Sequence, residues 1–160
     1  MANKIKERYQ DIEAVVAPAL GGIILAPWLA YFLRSNHQGK MLSLFTKKDQ
    51  SGSQILKRSY QKLVAGKKVL IVDDILTTGG SIKQVIEEVK KAKGRVVTVA
   101  VICNRGGVTS EKIGGYPLFS LWKTKIESWL KDECLLCKAG IPVNPEVGRG
   151  EEFLAKKACK

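Results

Sequence analysis

Short apolar runs alternate with amphipathic segments along most of the chain. These apolar runs predict buried strands at residues 12–17, 41–45, 69–72, 95–102 and 118–122. Between the first two runs, a glycine-containing turn at Pro18–Gly22 leads into an apolar segment at 23–34, which predicts a buried helix. Because strands and helices alternate in this way, the pattern favours an α/β fold.

The segment between the third and fourth apolar runs predicts another helix. Four apolar residues fall on one helical face: Ile82, Val85, Ile86 and Val89. Ser81 and Gln84 resemble a capping box at its start, and Gly94 is expected to stop it. Residues 69–102 then form a strand, helix, strand unit, which implies parallel strands joined by a right-handed crossover.

One uncharged apolar stretch, residues 14–33, has the length of a membrane span. Two prolines and two glycines interrupt it: Pro18, Gly21, Gly22 and Pro27. A buried strand, a glycine turn and a buried helix explain the same residues. We therefore interpret the stretch as part of a globular core and expect no membrane association.

Length and composition fit one globular domain, since 45% of the 160 residues are hydrophobic. The formal net charge of +12 suits an anionic partner, which can be nucleic acid, a membrane surface or a phosphorylated small molecule. The charge alone does not choose among them. The chain starts with polar and charged residues rather than a secretory leader, so its four cysteines indicate a reducing cytoplasm.

The periodic pattern weakens in two places. Residues 46–61 are polar, basic and contain a glycine, which predicts a long mobile loop or an irregular hairpin. From about residue 123 onward, the composition predicts an irregular tail with turns. We therefore expect a single domain over 1–160, with its core at about 12–122 and the tail at about 123–160.

Two adjacent acids, Asp73 and Asp74, follow the third apolar run. Neighbouring carboxylates both stay ionised only where water, a cation or hydrogen-bond donors surround them. Gly79 and Gly80 let the following backbone curl so that several N–H groups converge on one anion. Hydroxyl groups come from Thr77, Thr78 and Ser81. Carboxylates suit sugar hydroxyls or a hydrated magnesium ion beside that anion, so the segment predicts a site for a phosphorylated sugar.

The whole stretch VLIVDDILTTGGS, residues 69–81, closely resembles the phosphoribosyl pyrophosphate motif of the type I phosphoribosyltransferases. Other segments resemble the orotate phosphoribosyltransferase branch of that family. The stretch VVAPALGGIILA resembles its pyrophosphate loop, and LFTKKDQ resembles a strand end that presents a basic residue to the pyrophosphate. The segment CNRGG resembles the one whose arginine meets the carboxylate of orotate, and ECLLCKAGIPV resembles the C-terminal stretch of bacterial members. The resemblance runs from about residue 12 to about residue 150. It implies a central, mostly parallel sheet flanked by helices.

The resemblance also implies roles for individual residues. Asp73, Asp74 and Lys48 would be the catalytic residues, and Thr77 with Arg105 would bind the base. Phosphoribosyl pyrophosphate would be bound by a larger set: Ala19, Leu20, Gly21, Gly22, Lys47, Lys48, Lys57, Arg58, Asp73, Asp74, Ile75, Leu76, Thr77, Thr78, Gly79, Gly80 and Ser81.

The implied reaction is the Mg²⁺-dependent transfer of ribose 5-phosphate from phosphoribosyl pyrophosphate to a nucleobase, with orotate favoured and pyrophosphate released. The substrate would hold most of the magnesium, so no side chain is assigned as a metal ligand. The family usually carries an N-terminal hood over the base. We expect this chain to lack that hood, because it begins almost at its first core strand. The resemblance further implies a cytoplasmic homodimer.

Two other functions stay open at this point. One is transfer to another base, as in purine salvage. The other is a regulator with the same fold that binds RNA or a nucleotide, which the charge of +12 permits. A non-catalytic regulator has less reason to keep the stretch VVAPALGGI and Lys48, so nucleic acid is not the partner that we expect.

The remaining conspicuous residues have structural interpretations. Cys134 and Cys137 form a CxxC pair, but a tetrahedral zinc site needs two more ligands, which Cys159 or a second copy would have to supply. His37, the only histidine, is interpreted as a surface residue. Trp28 and its aromatic neighbours belong to the apolar helix and predict core or dimer packing.

Overall fold

The computed structural model describes residues 1–34, 40–127, 129, 131–148 and 150–158. The sequence interpretations of His37 and Cys159 therefore lie outside the described residues. The chain divides into two compact units, Met1–Ile126 and Glu127–Lys160.

The first unit contains most of the secondary structure. Its elements, in chain order, are α1 (Ala2–Lys6), β1 (Ala14–Ala17), α2 (Gly22–Leu33), β2 (Leu42–Phe45), β3 (Lys47–Lys48), β4 (Gln54–Ile55), α3 (Arg58–Val64), β5 (Lys68–Leu76), α4 (Gly80–Lys91), β6 (Arg95–Asn104), a 3₁₀ turn (Glu111–Ile113) and β7 (Leu118–Lys123). Five of these strands form one sheet in the order β2-β1-β5-β6-β7, and every pairing in it is parallel. The predicted α/β fold with parallel strands is confirmed.

Both faces of this sheet are buried, which explains why its central strands are continuously apolar rather than alternating. Along β5, Val69 and Ile71 pack with the apolar face of α4, while Leu70 and Val72 pack with residues of α1 and α2. The uncharged stretch 14–33 is divided between β1 and α2, as expected from its glycines and prolines. Every helix in the described ranges is too short or too polar to cross a bilayer.

Several predicted boundaries are wrong. β5 continues through both acids to Leu76, because it pairs with β6 as far as Asn104. The polar segment 46–61 contains the short hairpin of β3 and β4, as one alternative predicted, but its last residues begin α3 instead of a mobile loop. The sequence analysis places no element before residue 12, whereas α1 buries Ile5 against α2.

The predicted capping box at the start of α4 is also wrong. The residue that caps this helix is Gly79, with a left-handed φ of 86°, and Ser81 lies inside the first turn. Gln84 does not reach back to the helix start, because its Oε1 accepts the backbone N–H of Gln54 at 3.0 Å. The helix ends at Lys91 rather than at Gly94.

The second unit contains a 3₁₀ turn at Lys131–Glu133 and two short helices, α5 (Leu135–Lys138) and α6 (Gly150–Ala158). The nine residues of α6 correct the expectation of an irregular tail. Cys134 is the N-cap residue of α5. The pKa of the Cys134 thiol is lowered, chiefly because a backbone N–H and the thiol of Cys137 donate to it.

Candidate functional site

The segment 73–82 forms a concavity where β5 ends and α4 begins. Its walls are Asp73 and the consecutive residues Ile75, Leu76, Thr77, Thr78, Gly79, Gly80, Ser81 and Ile82. A Cβ on Gly79 would lie 3.1 Å from Ile113 Cγ2, and its φ of 86° favours glycine as well. Gly79 therefore lets the loop pack closely on the 3₁₀ turn that contains Ile113. The start of α4 then faces the concavity, as an anion site requires.

The loop after β6 lies directly against this segment. The backbone N–H groups of Arg105 and Gly106 donate to the carbonyl of Leu76 at 2.9 and 3.1 Å. A Cβ on Gly106 would overlap the carbonyl of Thr77. Buried Asn104 holds the loop in shape, because its side chain exchanges two hydrogen bonds with the backbone of Val108 at 2.7 and 3.0 Å. The structure thus brings together the two predicted base-binding residues, Thr77 and Arg105.

The acidic pair occupies two different environments. Asp73 is only 8% exposed and lines the concavity, whereas Asp74 is partly exposed. Burial, followed by the neighbouring Asp74 carboxyl, raises the pKa of Asp73 from 3.8 to about 7. A cation or a hydrogen-bond donor placed beside the pair would favour its ionised form, so the site is suited to bind one.

The turn after β1 approaches the same acids from the neighbouring strand. A Cβ on Gly21 would overlap the Asp74 carboxylate. A Cβ on Gly22 would lie 2.7 Å from the Cβ of Ala17 and 3.0 Å from the carbonyl of Val72. Close packing therefore requires a glycine at position 22, and a side chain at position 21 would displace the Asp74 carboxylate. The predicted pyrophosphate loop, which also includes Ala19 and Leu20, lies beside the acidic pair.

The hairpin of β3 and β4 carries the predicted basic residues Lys47 and Lys48, both exposed. Lys48 pairs with Gln54 in the antiparallel register. Gln54 is buried, and its Nε2 donates to the carbonyl of Ala19 at 3.2 Å. The hairpin is therefore hydrogen bonded to the turn 18–22, which places the two lysines on an element that is tied to the site.

Lys57 and Arg58, the other two predicted basic residues, lie at the start of α3. Lys57 is the N-cap residue of α3 and Arg58 is its first residue, and both are exposed. Their assignment to the site stays a prediction.

Three polar residues were missed by the sequence analysis: Thr46, Gln54 and Asn104 are buried and hydrogen bonded around the site. Asn104 and Thr46 lie in the motifs CNRGG and LFTKKDQ, which drew attention to their neighbours Arg105 and Lys48. Thr46 and Gln54 belong to a polar segment, where nothing in the sequence distinguishes a buried polar side chain from an exposed one.

The donor set of the site fits a magnesium ion that is held mainly by its substrate. Mg²⁺ is usually bound through one or two carboxylates together with substrate phosphates and water, and Asp73 and Asp74 supply that number. Within the described ranges, no group of three or more His, Cys, Asp and Glu residues lies close enough to hold a metal by itself.

The raised pKa of Asp73 predicts that this residue contributes less to the stability of the free protein as the pH rises. In the unfolded chain Asp73 ionises near 3.8, but in the folded protein it ionises only near 7. Between these values the unfolded state binds fewer protons at this residue, so its contribution to the free energy of unfolding should fall by about 2 to 4 kcal/mol between pH 4 and pH 7 and stay level above that. Carboxyls with a lowered pKa, such as Glu13 and Glu88, act in the opposite direction in every variant, so the quantity to compare is the difference between the wild type and Asp73→Asn. Urea unfolding across this range, without metal or phosphate, measures it.

The matched variants are Asp73→Asn, which should remove this decline, and Asp132→Asn, at an exposed acid of the second unit, which should keep it. If the wild type and Asp73→Asn show the same dependence on pH, the buried carboxyl is not the cause.

The chain is similar to orotate phosphoribosyltransferases and to a solved phosphoribosyltransferase structure. It is 43% identical to the orotate phosphoribosyltransferase of Caldicellulosiruptor saccharolyticus over 84% of this chain and 65% of that protein. It is 36% identical to that of Thermotoga maritima over 92% of this chain and 73% of the relative. The adenine phosphoribosyltransferase structure from Thermoanaerobacter pseudethanolicus has a TM-score of 0.57 at 22% identity, covering 76% of this chain and 77% of that one; this likeness concerns the fold alone.

The family comparison covers the whole first unit and the first residues of the second. A sequence profile of the phosphoribosyl transferase domain matches residues 1–133, which include the parallel sheet, the turn 18–22 and the segment 73–81. Together with the identity of 43% to a curated relative, this match shows that the chain belongs to the phosphoribosyltransferase family.

Proposed function

We propose that this protein transfers ribose 5-phosphate from phosphoribosyl pyrophosphate to orotate and releases pyrophosphate. The main support for this proposal is that three loops meet at the carboxyl ends of adjacent strands, namely the loops that follow β1, β5 and β6. Gly21 lies on Asp74, and Gly106 lies on Thr77. Ligands of open parallel sheets bind at this edge, and here it offers N–H groups, hydroxyls and carboxylates side by side.

Each part of phosphoribosyl pyrophosphate has a matching surface in this arrangement. The 5-phosphate is placed in the concavity of residues 75–81, where the start of α4 supplies N–H groups. The ribose hydroxyls are placed at Asp73 and Asp74, which accept hydrogen bonds. The pyrophosphate is placed between the turn 18–22 and the lysines of the hairpin.

Positioning and electrostatics carry the catalysis in this proposal, and no side chain acts as a nucleophile. Positive charge that develops on the ribose is stabilised by the carboxylates of Asp73 and Asp74, and negative charge on the departing pyrophosphate by Lys48 and the backbone of 19–22. A magnesium ion held between the substrate and these carboxylates would neutralise the pyrophosphate oxygens.

The curated relatives support orotate as the base, and the chain spans 65% of the length of the relative from Caldicellulosiruptor saccharolyticus. Orotate carries a carboxylate, and a planar guanidinium pairs with a carboxylate through two hydrogen bonds. Arg105 lies beside Thr77 and is partly exposed, so we assign it that role. A cytoplasmic location is also part of this proposal, because the cysteines within the described ranges form no disulfide, as is usual in a reducing compartment.

Replacing both acids tests the assignment of the site. Asp73→Asn combined with Asp74→Asn should lower kcat/KM for pyrophosphate release with orotate by at least about 100-fold and weaken binding of phosphoribosyl pyrophosphate, because amide donors then face the ribose hydroxyls. The pair Asp132→Asn and Glu133→Gln, also adjacent but exposed in the second unit, is the matched control. If calorimetry shows that the variant with both Asp73→Asn and Asp74→Asn binds phosphoribosyl pyrophosphate as tightly as the wild type, the assignment of the site is refuted.

Replacing the arginine tests the choice of base. Arg105→Ala should reduce kcat/KM with orotate by about 10- to 150-fold, since one charge-assisted contact is lost, and should reduce activity with uracil less. Arg105→Lys should restore little, because an ammonium group cannot form the paired contact. Arg95→Ala, at the opposite end of β6, is the control. Equal losses with both bases, or no loss with either, would show that Arg105 does not bind the carboxylate.

We also propose that the enzyme is a homodimer that associates through the outer face of α2. Trp28 is 60% exposed and forms ring contacts with Tyr31 and Phe32, which are exposed as well. Ile24, one turn earlier, extends this apolar face and is also exposed. A contiguous face of this kind is typical of a protein interface.

Light scattering tests the dimer. The wild type should be dimeric at micromolar concentration, and Trp28→Glu should be monomeric because it buries a charge in the interface. Trp122→Glu, at a tryptophan of β7 that is 62% exposed, should remain dimeric. A monomeric wild type, or dissociation by the Trp122 variant alone, would contradict this interface.

A further inference from the structure

A buried carboxamide connects three elements around the proposed site. Gln54 is only 3% exposed. Its Oε1 accepts a hydrogen bond of 2.6 Å from the hydroxyl of Thr46, and its Nε2 donates to the carbonyl of Ala19 at 3.2 Å. Thr46 is fully buried, and its backbone N–H donates to the carbonyl of Ala17 at 2.9 Å. The end of β1 and the turn after it are therefore both held by the hairpin region.

The orientation of this carboxamide is fixed by its partners. A backbone carbonyl only accepts hydrogen bonds, so the amide nitrogen of Gln54 has to face Ala19. Its oxygen then faces the Thr46 hydroxyl, which can donate. Neither a carboxylate nor an alkyl group satisfies both neighbours.

The hairpin is in turn held by the helix that begins at the phosphate concavity. Gln84 and Glu88 lie one turn apart on α4, and their side-chain oxygens accept the backbone N–H groups of Gln54 and Leu56, both at 3.0 Å. Alternate N–H groups of an extended segment point the same way, so these two side chains take the place of a neighbouring strand. The phosphate end of the proposed site is thus connected to the turn 18–22 through Gln54.

We propose that Gln54 is a positioning residue that sets the turn 18–22 for the diphosphate group of the substrate. This inference rests on the proposed function. Ala19 is the acceptor of the Gln54 amide, and Gly21, two residues later, lies on the Asp74 carboxylate. Holding the Ala19 carbonyl by the buried amide fixes where the backbone of this turn faces the ligand. Gln54 does not contact the substrate in this account.

The isosteric variant Gln54→Glu isolates this effect. The carboxylate still accepts from Thr46, and the backbone bonds to Gln84 and Glu88 do not involve the changed group. In the ionised form the donor to Ala19 is lost, and two oxygens face each other instead. Burial favours the protonated carboxyl, whose O–H donates to Ala19, so the loss should grow as the pH of the assay rises. We expect KM for phosphoribosyl pyrophosphate to rise roughly tenfold, with KM for orotate nearly unchanged and kcat lowered less than the affinity.

Two probes separate positioning from general damage to the fold. In calorimetry, Gln54→Glu should weaken binding of phosphoribosyl pyrophosphate about tenfold but leave that of ribose 5-phosphate within about twofold, because only the former carries the diphosphate. Gln61→Glu is the matched control: Gln61 Nε2 also donates to a backbone carbonyl, that of Leu56 at 3.0 Å, but on α3. It should bind both probes as the wild type does.

A second variant pair covers the case in which Gln54→Glu does not fold. Thr46→Val removes the hydroxyl that orients the carboxamide and should weaken binding of phosphoribosyl pyrophosphate, whereas Thr46→Ser keeps the hydroxyl and should restore it. If the wild type binds phosphoribosyl pyrophosphate and the Gln54 and Thr46 variants bind it equally well, the positioning role is overturned while the proposed function stands. A wild type that binds neither probe overturns both.

Discussion

The parallel pairing of β1 with β5 is the constraint on which the proposed site depends. Ala14, Val15 and Val16 are in register with Val69, Leu70 and Ile71, so both strands end at the same edge of the sheet. The turn that follows β1 then lies beside the last residues of β5, and Gly21 meets the Asp74 carboxylate without room for a Cβ. Two loops that are 50 residues apart in sequence thereby form one surface.

A buried acid at such an edge opposes folding and favours binding. Asp73 is desolvated, which raises its pKa to about 7, and so its ionised form is costly in the free protein. A sugar hydroxyl or a cation beside it would recover part of that cost on binding. The polar residues behind the loops, Gln54 and Asn104, instead use both their amide nitrogen and their amide oxygen in hydrogen bonds within the protein, which suits a role in holding the loops rather than in binding a ligand.

Local patterns predicted the parallel sheet and the turn between β5 and α4, because apolar runs and the glycines of 69–81 act through neighbours in sequence. The predicted capping box is wrong for a tertiary reason: Gly79 caps α4 while it packs on Ile113, and the side chain of Gln84 is hydrogen bonded to β4. The role of Gln54 was missed for a similar reason, since its burial comes from a hairpin that folds onto α4. The residues that support the site were therefore less predictable than those that line it.

The proposed site requires that the turn 18–22 and the segment 73–81 bind one ligand together. Titration of the ¹⁵N-labelled protein with phosphoribosyl pyrophosphate and Mg²⁺, followed through the backbone amide resonances by NMR, measures this joint binding. The amides of Gly21, Gly79 and Gly80 should shift along one saturation curve, with a single dissociation constant. Shifts confined to one of the two loops, separate curves for them, or no shift at saturating ligand would contradict it.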